Sequence, residues 1–261
     1  MRKLQYTFKS DILFKMTFVK YRDLLKCLVA AVLKIPVGDI QEFIILNSEI
    51  VPETIEKKFC RLDIHIKAGN QYIDVEMQIS NEGNFAERLL VYWSKVFSVA
   101  LGSGEDYKAV PRTILISFIN FDMFECAEYC SEFVAMEKYR HEMLTDKMSI
   151  FVFELGKLPE EIDSSNMLEL FLRLFKADTE EELEELEKLE VNEVTQMVNA
   201  YRDITQNPDY ADLERKRVMA RLDEGQAIRH ALEQVEAKWQ SRIDEQAAKI
   251  SELEAMLKGQ K

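Results

Sequence analysis

Two runs of strict apolar–polar alternation stand side by side near the middle of the first half of the chain, at residues 61–67 and 72–79. In the first, Leu62, Ile64 and Ile66 fall on one side, and Arg61, Asp63, His65 and Lys67 on the other. In the second, Ile73, Val75, Met77 and Ile79 alternate with Tyr72, Asp74, Glu76 and Gln78. A period of two bounded by turn residues predicts two half-buried β-strands. Gly69-Asn70 between them predicts a two-residue hairpin turn, with Gly69 supplying positive φ. That turn sets Ala68 across from Gln71. It follows that His65 faces Asp74, Asp63 faces Glu76 and Arg61 faces Gln78. Both apolar sets then share one face, and a slip of one residue would send one of them into water.

The pattern elsewhere fills in an α/β layer. Residues 11–18 predict a helix capped by Ser10 with Asp11 in its first turn, and residues 23–33 a second helix ending before Pro36. Residues 43–51 are β-rich, with Asn47 and Glu49 on one face. Residues 84–101 are amphipathic. Phe85, Leu89, Val96 and Ala100 form a buried stripe, and Arg88, Tyr92 and Lys95 share a second face. The apolar run 113–121 predicts a buried strand and 148–155 another. Helix, three strands, helix, strand describes a mixed sheet flanked by helices.

From residue 166 the chain reads as helical, with residues 180–190 an exposed acidic helix around Leu183, Leu186 and Leu189. Pro208 interrupts this pattern before another long helix. Ile228, Leu232, Val235, Trp239, Ile243, Gln246, Ile250, Leu253 and Leu257 then follow heptad spacing with one four-residue stutter after Trp239. A C-terminal coiled coil joining two copies of the chain is the expectation; the alternative is a helix packed back on the first half. The expected organisation is therefore 1–160 as an α/β domain, 161–222 as an acidic helical region and 223–261 as the coiled coil.

Charge changes the picture in one respect. The formal net charge is −13, which by itself argues against nucleic acid, but residues 1–120 hold 16 Lys and Arg against 14 acids, and the remainder 18 against 33. The acidity belongs to the C-terminal half, so the first half is open to a phosphate backbone. No apolar run is long enough to span a bilayer and the N-terminus lacks a signal-peptide apolar region, so a cytoplasmic protein without membrane contact is expected. Cys27, Cys60, Cys126 and Cys130 form no CxxC pair and have no histidine at zinc-ligand spacing. Cys126 and Cys130 could share a helix face, but two thiols make no zinc site, and reduced structural thiols are expected.

The opposed Asp63 and Glu76 are the candidate chemistry. Like charges directly across a strand pair repel, and a divalent cation between them reverses the sign. Hard cations such as Mg²⁺ are held by one or two carboxylates, with water and phosphate completing the shell. Carboxylates on the outer face of an edge hairpin are also ordinary, so the pattern permits a metal site or a solvated face. His65 lies beside Asp63, and its expected partner Asp74 makes a structural cross-strand pair the simpler reading than a catalytic base. His141 and His230 have no constellation around them.

The series Asp11-Ile-Leu-Phe14-Lys15, Leu46-Asn47-Ser-Glu49, Leu62-Asp63-Ile64, Val75-Glu76-Met77-Gln78 and Arg88 through Tyr92-Trp-Ser94-Lys95 resembles the Rpn family of recombination-promoting nucleases, also described as transposases, of the PD-(D/E)XK superfamily. The resemblance is good over residues 5–125 and loose beyond. It implies a restriction-endonuclease-like core and a metal-dependent DNA endonuclease linked to recombination or mobile elements, using Mg²⁺ or Mn²⁺. Asp63 and Glu76 would match the acidic pair and hold the metal. Leu62 stands where the superfamily has proline, and Gln78 where it has lysine; Glu-Met-Gln is usual in the Rpn family itself. Gln78 is then expected to position water, and Arg88, or Lys95, to supply the missing positive charge. Glu49 could hold metal-bound water, and Asp11 could serve as a helix-borne acid. A catalytically silent DNA-binding scaffold, or a defence or RNA-directed nuclease on the same fold, are the other readings, because fold does not fix substrate.

Overall fold

The alternating stretch folds as the hairpin its turn demands. In the computed structural model, which describes residues 2–46, 64–79, 83–99 and 106–258, strand β2 (Ile64–Ala68) follows β1 (Ile44–Ile45) and pairs antiparallel with β3 (Gln71–Gln78). Ala68 faces Gln71, His65 faces Asp74 and Ile64 faces Val75, as predicted, with Gly69 at φ +56°. Asp63 and Glu49 lie outside the described residues, as does most of the predicted strand 43–51.

Helices α1 (Asp11–Lys20) and α2 (Arg22–Leu33) precede the sheet, and Ser10 caps α1 by accepting the Leu13 N–H. Helix α3 (Phe85–Val99) carries the chain from β3 to β4 (Arg112–Ile119), which runs parallel to it. β5 (Cys130–Phe133) and β6 (Met148–Glu154) complete a mixed sheet of order β1-β2-β3-β4-β6-β5, with β4 and β6 parallel and β5 an antiparallel edge. β5 was not expected. Cys126 and Cys130 do not share a helix face: Cys126 sits in an exposed bend and Cys130 opens the edge strand.

The two faces of the sheet are filled differently. On one, α1 and α4 (Met167–Lys176) lay aromatic rings against β4 and β6; the Phe118 ring centroid is 6.0 Å from Phe14 and 5.1 Å from Phe175. On the other, Phe85, Leu89 and Tyr92 of α3 pack on Leu115, Ile119, Ile150 and Val152. β4 and β6 are thus buried on both faces, which is why they read as continuous apolar runs. α3 covers this second face over β4 and β6, and β3 presents Asp74, Glu76 and Gln78 there instead.

Helices α5 (Glu180–Glu187) and α6 (Asn192–Thr205) pack with α4. α5 keeps its glutamates outward but buries Leu183 and Leu186, and Thr179 and Glu182 close a capping box at its start. The Tyr201 hydroxyl of α6 donates to the Tyr6 carbonyl at 2.8 Å, and burial pushes its pKa up to about 12. The chain divides into two compact units, residues 1–207 and 208–261. The second is helix α7 (Pro208–Lys258), opened by a proline where the missing N–H matters least. Among the described residues no helix is long and apolar enough to cross a membrane.

Candidate active site

The polar face of β3 is the unusual surface of the sheet. Asp74 is 1% exposed and Glu76 4%, although both are carboxylates. Charged side chains are almost never fully buried unless paired, because desolvating an ion is expensive. The strand places them there for a geometric reason. The opposite set, Ile73, Val75 and Met77, must enter the core, and a period of two then commits Asp74, Glu76 and Gln78 to the α3 side.

Each acid has a partner from a neighbouring strand. His65 Nδ1 lies 3.0 Å from Asp74 Oδ1, the cross-strand pair expected from the turn. Ser117 on β4 stands opposite Glu76, and its hydroxyl donates to Glu76 Oε1 at 3.2 Å. Ser117 was missed in the sequence. Its signal was a hydroxyl inside Ile114-Leu115-Ile116-Ser117-Phe118, where every neighbour is apolar. It turns one carboxylate oxygen of Glu76 toward β4.

Gln78 ends β3, held by its carbonyl accepting the Asn120 N–H at 3.1 Å. Its side chain meets α3. Arg88, in the first turns of that helix, donates from Nη2 to Gln78 Oε1 at 2.7 Å, and its guanidinium lies over the rings of Phe85 at 5.3 Å and Tyr92 at 5.7 Å. Arg88 and Tyr92 therefore do share a face, but it is not separate from the buried stripe, because Tyr92 packs in the core with Phe85 and Leu89. Lys95, one turn further, is exposed. Asp11 opens α1, whose Phe14 packs on the other face of the sheet.

Glu76, Gln78 and Arg88 thus form one patch at the C-terminal end of β3, with Ser117 beside it. Among the described residues no group of three or more His, Cys, Asp or Glu side chains could hold a metal ion; Asp63 and Glu49 are not among them. The donor set nevertheless suits a hard cation. Glu76 offers carboxylate oxygens from a buried, oriented position, and such ions take carboxylate oxygens and water. The model of the PD-(D/E)XK nuclease family transposases matches residues 8–231, from the approach to α1 into α7, and so takes in the helical part after residue 125 where the motif resemblance is loose. No curated protein and no solved structure matches the chain. A mixed sheet with a buried acid at the end of its central hairpin, spanned by that match, places the chain among the PD-(D/E)XK nuclease family transposases.

Proposed function

We propose that this protein is a divalent-metal-dependent DNA endonuclease acting in recombination or the movement of mobile elements, with Mg²⁺ or Mn²⁺ held by Asp63 and Glu76. The observation that supports it best is the burial of Glu76 beside Gln78 and Arg88 on the polar face of β3. Asp63 is bonded to Ile64, whose partner is Val75, so continuation of the hairpin register by one residue would bring Asp63 opposite Glu76. Bound there, the cation would polarise a phosphodiester oxygen and activate water for attack. Ser117 orients the Glu76 carboxylate; Gln78 and Arg88 contribute hydrogen bonding and positive charge beside it. Glu49 is proposed as an accessory acid.

The second unit is proposed to assemble two copies as a coiled coil. Ile228, Leu232, Val235, Trp239, Ile243 and Ile250 of α7 are each 50–59% exposed. With Ile243 and Ile250 at a positions, Lys249 is a g residue and Glu254 the following e residue, so a parallel pair would join opposite charges. Replacing Ile250 by Asp should then halve the mass found by light scattering.

The test of the nuclease reading is cleavage of supercoiled plasmid with Mg²⁺, with EDTA, and by Asp63→Ala. Nicking that needs both metal and Asp63 supports it. Cleavage of RNA alone would favour the RNA-directed alternative, and a folded protein that neither cleaves nor binds metal would favour the scaffold.

A further inference from the structure

We infer that Arg88 is a positioning residue that fixes the direction of the Gln78 amide, so that Gln78 meets the reacting phosphate or water as a hydrogen-bond donor. This rests on the nuclease reading above. A guanidinium has five donors and no acceptor, so the prong of Gln78 that faces Arg88 at 2.7 Å must be the carbonyl oxygen. The amide is planar, and its nitrogen is on the opposite prong. What Gln78 can offer beside Glu76 is therefore N–H.

Arg88 is itself well fixed. Phe85 and Tyr92, three residues before it and four after it on α3, are buried at 3% and 8% exposure, and both rings lie against its guanidinium. Oε1 accepts a charge-assisted hydrogen bond, which polarises the amide and makes its N–H a stronger donor. The arrangement turns a hydrogen-bond donor toward the site, as would the lysine that the superfamily places at this position. It also explains why lysine would be poor here, since an ammonium would face the Arg88 cation. An amide held in this way cannot take a proton from the attacking water; it can hold a phosphate oxygen or the water's lone pair.

The experiment uses the full chain, with the Gln78 side-chain amide resonances identified by their loss in Gln78→Glu. Arg88→Ala should move or broaden these resonances and lower kcat about 10- to 100-fold with KM nearly unchanged. Arg88→Lys should restore both in part. Gln78→Glu keeps an acceptor for Arg88 but has no donor, and should be as slow as Gln78→Met. The inference is overturned if the resonances ignore Arg88→Ala or if Gln78→Glu cleaves like the unmodified protein. It also fails if the loss lies wholly in KM with a weaker salt dependence, the mark of a plain phosphate contact. An unmodified protein that does not cleave DNA would overturn the nuclease reading, while the resonances would still decide whether Arg88 holds the amide.

Discussion

β3 and β4 are neighbours in one sheet, parallel and in register, yet they treat the face under α3 in opposite ways. β4 sets Leu115, Ser117 and Ile119 there; β3, at the paired positions, sets Asp74, Glu76 and Gln78. Leu115 and Ile119 are fully buried under Phe85, Leu89 and Tyr92 and serve packing. The acids of β3 are nearly as buried without serving it. Burying a carboxylate opposes folding, whereas burying a leucine drives it. Two strands with the same backbone role thus separate the residues that hold the fold from those proposed to carry chemistry.

The sharpest way to break that separation is to exchange the expected losses. Glu76→Gln keeps the side-chain volume and an acceptor for Ser117 but removes the charge. It should lower plasmid cleavage by about 100- to 1,000-fold, the scale of losing one transition-state contact, and leave the melting temperature unchanged or raised. Leu115→Ala should do the reverse. It opens a cavity in the α3 core and should cost about 2–5 kcal/mol in denaturant unfolding, with cleavage retained below the lowered melting point. A Glu76→Gln protein that cleaves normally, or a Leu115→Ala protein that is stable but inactive, would erase the distinction.

The β3 pattern was legible because the hydrophobic effect writes it directly: four apolar residues at a period of two, and a Gly-Asn turn that leaves one register. The α/β layer and the long apolar strands were legible for the same reason. β5 was not, because Cys130-Ser131-Glu132-Phe133 has no alternating apolar set; this edge strand is held by backbone pairing with β6, which side-chain patterning does not report. The Gln78–Arg88 contact was hidden for another reason. The two residues sit on different elements, and no spacing rule links the end of a strand to the first turns of the next helix. In the sequence Arg88 reads as a source of charge; in the structure it also holds the Gln78 amide from between the rings of Phe85 and Tyr92. Ser117 was visible as an oddity, and only strand pairing tells what its hydroxyl reaches.

A smaller effect sharpens the comparison inside β3. Asp74 and Glu76 are both buried acids, but Asp74 has a basic partner on the adjoining strand and Glu76 a hydroxyl. If the His65–Asp74 pair is structural, His65→Ala should destabilise by about 1–3 kcal/mol, the scale of a buried acceptor losing its partner, with kcat at saturating DNA unchanged. A drop in kcat with no loss of stability would transfer His65 to the reaction.

The smallest effect lies at a surface acid, where solvent screens what burial magnifies. Asp203 on α6 accepts from the Lys20 ammonium at 2.6 Å and the Tyr21 hydroxyl at 2.7 Å, and these two hydrogen bonds hold its carboxyl below the ordinary value of 3.8. A carboxyl whose pKa is depressed by folding contributes stability that is fully present above its ordinary pKa and is lost as pH falls through its folded value. Asp203→Asn should therefore melt slightly earlier than the unmodified protein near neutral pH, and the gap should close as the pH is taken below 3.8. Screening keeps that gap small. A gap that persists unchanged in acid would mean that Asp203 joins α6 to the end of α1 by its shape and hydrogen bonding, with its charge incidental.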